Sequence, residues 1–271
     1  MEETAYAKIN LALHVRGREA DGYHRLETIF AFGEDGDPVT VAEGEGLSLQ
    51  VTGPFAADLD AGEDNLVLWA ARALQGLVGT PRGAALTLDK RLPVASGIGG
   101  GSADAAATLR LLARWWNIEP PEEALLGLAR KLGADVPACL ASRTVRGSGR
   151  GDVLEPVDLG LEGTPLLLVN PRVALSTADV FRGWSGGDGG PLPANLLEGR
   201  NDLEAPARAI CPVIGDVIEA LSRLGTTRLV RMSGSGATCF ALFESEGARD
   251  AAAARIRLDN PAWWTLATRL R

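Results

Sequence analysis

The chain has 271 residues, 46% of them hydrophobic and 23% charged, with a formal net charge of −8. This is an ordinary globular composition, long enough for two modest domains or one large one, and its acidity argues against wholesale binding of nucleic acid or anionic membrane. No run of 18 apolar residues offers a membrane span, and the opening MEETAYAKIN lacks a charged-then-apolar targeting segment, so cytoplasmic residence is the expectation.

Residues 5–15, AYAKINLALHV, alternate strictly. Ala5, Ala7, Ile9, Leu11, Leu13 and Val15 share one face of a half-buried strand, and Lys8 and Asn10 share the other. An Asp21-Gly22 turn follows, then strands over 26–32 and 47–53. Asp64 is placed to cap a helix over 65–77. Residues 84–90 alternate as a strand that runs into a glycine-rich loop, and a helix extends from Ser102 to Trp116. The next helix, 120–132, starts at Pro-Pro, carries acids in its first turn and stops at Gly133. Lys131 falls in its last turn, where a cation suits the helix dipole.

Residues 144–157 read as a hairpin with a glycine turn. The remainder reads strand (165–171), helix (176–184), helix (203–224, broken near Pro212), strand, strand, helix (246–257), strand (263–269). The tight glycine loop GSGA, 234–237, joins the middle two strands. The domain boundary falls near 155–163. Cys139, Cys211 and Cys239 have no metal-ligand spacing and read as small core residues, the six tryptophans as packing residues, and His14 and His24 are too few for a histidine metal site.

The loop is PVASGIGGGSADAA, 93–106. Strand, glycine loop and helix N-terminus together form a phosphate cradle. Backbone N–H groups converge on an anion, the helix dipole adds roughly half a positive charge, and a side chain would hold the phosphates off. The Walker pattern GxxxxGK[ST] is absent, and a dinucleotide fingerprint fits poorly because Ala or Ser occupies the required positions. Ser102 offers a hydroxyl to a phosphate or a metal ion.

Two further residues point to phosphoryl transfer. Only three of the 27 basic residues are lysine (Lys8, Lys90 and Lys131), so a lone lysine on a strand stands out. Asp135, in LGADVPAC, either caps a short helix or accepts the proton of an attacking alcohol. A lysine near such an acid keeps it ionised and spreads the charge of a transferring phosphoryl group.

PVASGIGGGSADAA resembles the phosphate-binding loop of the GHMP kinases, the galactokinase, homoserine, mevalonate and phosphomevalonate kinase superfamily. SGSGATCFALF (233–243) is similar to its C-terminal glycine motif. The N-terminal AYAKINLALHVRGREADGYHRLETIF, with LGADVPAC and RNDLEAPA (200–207), narrows the match to the cytidine-substrate kinases of the non-mevalonate isoprenoid route. The resemblance implies an α+β fold of two domains. Residues 1–158 would form an ATP-binding and catalytic domain like the second domain of ribosomal protein S5, and residues 159–271 a ferredoxin-like domain. It implies ATP and Mg²⁺, and phosphorylation of the 2-hydroxyl of a cytidine-diphospho-methylerythritol.

By position, the family's catalytic pair falls on Lys8 and Asp135. Its ATP loop falls on Pro93, Val94, Ala95, Ser96, Gly97, Ile98, Gly99, Gly100, Gly101, Ser102 and Ala103, and the surroundings of adenine on Asn65, Leu66 and Lys90. The cytidine contacts fall on Tyr23 and His24, with Phe181 as a second aromatic wall, and Asn10 and Thr177 match substrate-contacting positions. Where many relatives read GGGLGGGSSNAA, this chain has Ala95 and Ser96 for loop glycines and Ala103-Asp104 for Ser-Asn. No acid matches the magnesium glutamate of other GHMP kinases, so phosphates and water are expected to hold most of the ion. Two alternatives are a GHMP kinase with a smaller alcohol substrate, which would not need the aromatic and imidazole of ADGYH, and a nucleotide-binding protein without turnover.

Overall fold

The structure is a computed structural model that describes residues 1–195, 198–225 and 227–271. Met1–Ala7, Asp35–Val94 and Gly99–Ser142 form one compact unit, and Lys8–Glu34, Ala95–Ile98 and Arg143–Arg271 form another. The long strands β1 (Glu2–Arg18) and β2 (His24–Ala42) contribute to both.

In the first unit, β3 (Leu47–Thr52) runs parallel to β4 (Ala84–Asp89), and β4 pairs antiparallel with Val39–Ala42 of β2. The helices are α1 (Leu66–Val78), α2 (Gly100–Trp116), α3 (Glu122–Leu132) and α4 (Val136–Ala141). Asn65, not the expected Asp64, is the N-cap of α1. Its side chain accepts from the Val67 N–H at 2.9 Å and donates to the Asp60 carbonyl at 2.6 Å, which holds the entry turn closed. Along α2, Ala103, Ala105, Ala106 and Ala107 are buried, small enough for close helix packing, while Leu109, Leu111 and Leu112 each contribute roughly 1.5–3 kcal/mol by burial. Trp116 is buried, but Trp69 is 48% exposed on α1, so the reading of every tryptophan as packing fails there.

In the second unit, β1 and β2 pair with each other. Thr28–Phe30 of β2 pairs with β5 (Val145–Ser148), which forms the expected hairpin with β6 (Val153–Pro156). A separate antiparallel sheet has the order β10 (Trp264–Arg269), β7 (Pro165–Asn170), β9 (Cys239–Phe243), β8 (Thr227–Met232). With α5 (Thr177–Arg182), α6 (Glu204–Ile210) and α7 (Val213–Ser222) between β7 and β8, and α8 (Glu246–Asp259) between β9 and β10, this is the ferredoxin-like order. Burial follows place in the sheet. Central β9 is buried throughout, whereas edge strands β8 and β10 carry arginine and threonine. Leu167, Val169, Ile214, Val217, Phe243 and Ile256 form the core beneath it.

Two strands differ from expectation. β1 was expected half-buried, yet Ala7 to Val15 is buried on both faces, because the polar face of Lys8, Asn10 and His14 finds internal partners. β2 continues past residue 32 through GEDGD, a segment with the look of a turn. Its Asp37 is fully buried, accepting from the Arg91 and Leu92 N–H groups at 2.6 and 2.7 Å. Among the described residues, no helix is long and apolar enough to cross a membrane.

Candidate active site

The strict alternation of β1 sends Lys8 and Asn10 to one face, and in the second unit they meet. Lys8 Nζ donates to Asn10 Oδ1 at 2.9 Å and lies 5.4 Å from the centre of the Phe30 ring. Asn10 Nδ2 donates to Thr28 Oγ1 at 2.8 Å, and Thr28 donates on to the Ala12 carbonyl at 2.6 Å. A chain of buried polar groups with every link made is rigid as well as stable. The ammonium is therefore aimed, on a side chain that would otherwise carry several free rotamers.

The glycine motif near residue 235 braces this cluster. Ser233 Oγ accepts from the Asn10 N–H at 3.2 Å and donates to the Gly97 carbonyl at 3.0 Å. The Thr238 N–H donates to the Ser96 carbonyl, and the Lys8 N–H to that of Ile98, both at 3.1 Å. Gly97 has φ +78°, and a Cβ there would stand 2.5 Å from the Gly236 carbonyl oxygen. The hydroxyls of Thr177, first residue of α5, and Ser235 lie 2.8 Å apart.

In the first unit, the head of α2 takes no side-chain cap. Its N-cap, Gly99, has φ +64°, and a Cβ on Gly101 would meet nothing within 4 Å. An uncapped N-terminus reached across open glycine is what a bound phosphate needs. Beneath it, Lys90 Nζ lies 2.6 Å from both Asp37 and Asp104, all three buried. Burial pushes Asp104 up to about 7, with the Lys90 ammonium opposing and the Asp37 carboxylate adding to the rise. A Cβ on Gly100 would come within 3.0 Å of Lys90 Nζ, so that glycine makes room for the lysine. Lys90 thus faces inward with its ammonium enclosed. Asn65, Leu66, Gly101 and Asp104 share a cavity of about 270 Å³ with Leu59, Asp60 and Asp64.

Asp135 occupies the N-cap position of α4, yet its carboxylate makes no capping hydrogen bond to that helix. Ser102 Oγ lies 4.0 Å from where a Cβ on Gly133 would stand, on the same tight turn as Asp135.

The aromatic residues are arranged differently from the sequence order. The turn before β2 is closed by the Tyr23 N–H to Asp21 Oδ1 at 3.1 Å and by backbone bonds between Glu19 and Tyr23 and between Gly22 and Glu19. Tyr23 is 58% exposed, and its ring centre lies 4.0 Å from the Arg150 guanidinium. The ring on Phe181 is His24, with centres 4.7 Å apart and planes tilted 32°. Trp184 stands at 84° to the same imidazole, 5.5 Å away, and sequence reasoning missed it. The available signal was its spacing, three residues beyond Phe181 and so on the same side of the α5 turn. Burial first, then the Arg18 charge, holds His24 below the usual imidazole range.

Comparisons with known proteins agree along the chain. The model for the GHMP kinases N terminal domain matches residues 65–143, and that for GHMP kinases C terminal matches 187–261. A 4-diphosphocytidyl-2-C-methyl-D-erythritol kinase of Rhizorhabdus wittichii is 57% identical over 277 residues, covering 99% of this chain and 94% of the relative. Its counterpart in Sphingopyxis alaskensis is 49% identical, covering 100% and 99%. A crystal structure of 4-(cytidine 5'-diphospho)-2C-methyl-D-erythritol kinase superposes with a TM-score of 0.86 at 35% identity, covering 100% and 99%. The homoserine kinase of Cytophaga hutchinsonii shares the fold, with a TM-score of 0.71 at 18% identity, covering 96% and 94%. With relatives so similar along its whole length, the chain belongs to the GHMP kinases and, among them, to the 4-diphosphocytidyl-2-C-methyl-D-erythritol kinases.

Proposed function

We propose that this ATP-dependent kinase phosphorylates the 2-hydroxyl of 4-diphosphocytidyl-2-C-methyl-D-erythritol, giving the 2-phosphate and ADP in non-mevalonate isoprenoid precursor synthesis. The uncapped head of α2 behind its glycine loop carries the kinase reading. His24 packed on Phe181 supports a planar base on the acceptor. The small-alcohol alternative gives those rings no task, and a protein without turnover gives none to Lys8 and Asp135.

In this reading the loop from Pro93 to Ala103 holds the triphosphate on backbone N–H groups. Asn65 and Leu66 line the purine pocket, and Lys90 supports the loop from below through its ion pairs. Asp135 takes the proton from the substrate hydroxyl, and Lys8 stabilises negative charge on the transferring phosphoryl group. Asn10 and Thr177 bind the acceptor, while Tyr23 and Phe181 hold the cytosine ring and His24 bonds its edge. Mg²⁺ arriving with ATP would neutralise phosphate charge. The residues fit an ion carried mainly by phosphate oxygens and water: among the described residues no three His, Cys, Asp or Glu side chains gather into a cage, and the Ser102 hydroxyl is the candidate protein contact. The two domains of the family fold are assigned to 1–158 and 159–271, and the protein to the cytoplasm. The net charge of −8 supports small-molecule partners over nucleic acid.

An ADP-release assay with the cytidine substrate tests the activity, and Asp135→Asn tests the mechanism. The variant is expected to bind both substrates, melt like wild type, and lose about 10²–10⁴-fold in kcat, because an amide accepts no proton. Full turnover at pH 7 would leave the carboxylate only a structural part.

A further inference from the structure

Reading a base by its edge requires an imidazole whose nitrogens stay put. A histidine ring turns easily about its Cβ–Cγ bond, where the torsional wells are broad and roughly two-fold, and a flipped ring presents C–H where a nitrogen should be. His24 is the first residue of β2 and follows an exposed turn, so its own backbone neighbours do little to fix it. The fixing comes from across the second unit. Phe181 lies against the imidazole at 4.7 Å with its plane tilted by 32°, and Trp184 stands as a wall at 84° and 5.5 Å. A ring held by a face on one side and an edge on another cannot flip without displacing one of them.

Trp184 is itself well anchored. Its backbone N–H donates to the Phe181 carbonyl at 3.2 Å, just past the Gly183 cap of α5, and its side chain packs on the core cluster that contains Val180, Leu203 and Ile214. His24 is tilted by 32° on Phe181 rather than stacked squarely, and a base in the proposed reading would meet the imidazole at its edge.

We propose that Trp184 is a positioning residue for base selection: it locks the His24 imidazole in the orientation that reads the cytosine edge. This rests on the reading that His24 contacts the base, and it adds a fourth ring, beside Tyr23, His24 and Phe181, to that site. Arg18 is the charged neighbour of His24, while Asp179 and Arg182 on α5 pair with each other. Trp184 therefore acts by shape and burial rather than by charge.

The test compares Trp184→Leu, which keeps apolar packing on the core, with Trp184→Phe, which restores a ring, and with His24→Ala as reference. For Trp184→Leu the KM for the cytidine substrate should rise about 3- to 10-fold, and the preference for it over its uridine analogue should fall by a similar factor. The KM for ATP and kcat should stay within about twofold of wild type. Trp184→Phe should recover most of the loss.

A readout independent of activity is available because the chain has only two histidines. His24→Ala assigns the imidazole NMR signals, and in Trp184→Leu the His24 signal should titrate at higher pH than in wild type, since burial is what holds it down. Wild-type discrimination in Trp184→Leu, where His24→Ala has lost it, would overturn the proposal and leave the reader intact. Wild-type discrimination in His24→Ala would overturn the reader and the proposal with it. An unmoved His24 titration would likewise remove Trp184 from this role.

Discussion

At Gly97 a Cβ would stand 2.5 Å from one backbone carbonyl oxygen and 2.6 Å from another, those of Gly236 and Ser233; at Gly101, in the same loop, it would meet nothing within 4 Å. The first glycine exists so that two stretches of this chain can touch, and its φ of +78° adds a conformation that other residues rarely adopt. The second leaves a space that the protein itself does not fill. A glycine-rich loop is thus two devices, a backbone joint and an open cradle, written in one letter.

The comparison breaks most visibly at the joint. Gly97→Ala should cost about 3 kcal/mol or more in urea unfolding, through left-handed strain together with a backbone clash. A loss under about 1 kcal/mol would show that the two loops part easily. At the cradle, Gly101→Val should leave the melting temperature within a few degrees of wild type and raise the KM for ATP at least about tenfold, because a branched side chain keeps phosphate oxygens from the amides. Gly100 is a poorer probe, since a side chain there also presses on Lys90. Unchanged ATP affinity in the folded Gly101→Val protein would end the cradle reading.

The smallest effect concerns the support beneath. Asp104 in the folded chain ionises near 7, above its unfolded value, so between about pH 4 and 7 the native state keeps a proton that the unfolded state has lost. Stability therefore falls as pH rises through that window. Asp104→Asn has no such proton to lose. Its stability relative to wild type should increase with pH, with a slope approaching about 1.4 kcal/mol per unit, and level off above 7. A difference independent of pH would mean that the cluster around Lys90 holds no extra proton.

What could be read from letters, and what could not, follows the same division. The proposed cradle is local: strand, glycines and helix lie consecutively, so spacing alone suggests it. The element order of the second half is legible too, because helical and strand patterns alternate there, while its ferredoxin-like character is what the family resemblance implies. Asp37 was hidden because its partners, Lys90 and the Arg91 and Leu92 amides, are far away in sequence, and charged GEDGD looks like surface. The buried second face of β1 was hidden for the same reason, since Thr28 and Ser233 complete it. Asp135 was ambiguous in the letters. The structure withdraws one of its two readings, because its carboxylate does not cap α4.

The interleaving of the second compact unit has a consequence for how the protein is made. Lys8–Glu34 leaves the ribosome early, but the strands and helices of Arg143–Arg271 that complete its unit are synthesised much later. Until then Ile9, Leu11, Leu13 and Val15 form an apolar strand that lacks its core, the kind of segment that pairs wrongly with other nascent chains. The strand that carries Lys8, the proposed charge stabiliser, is thus also a stretch of the newborn chain that waits longest for its partners.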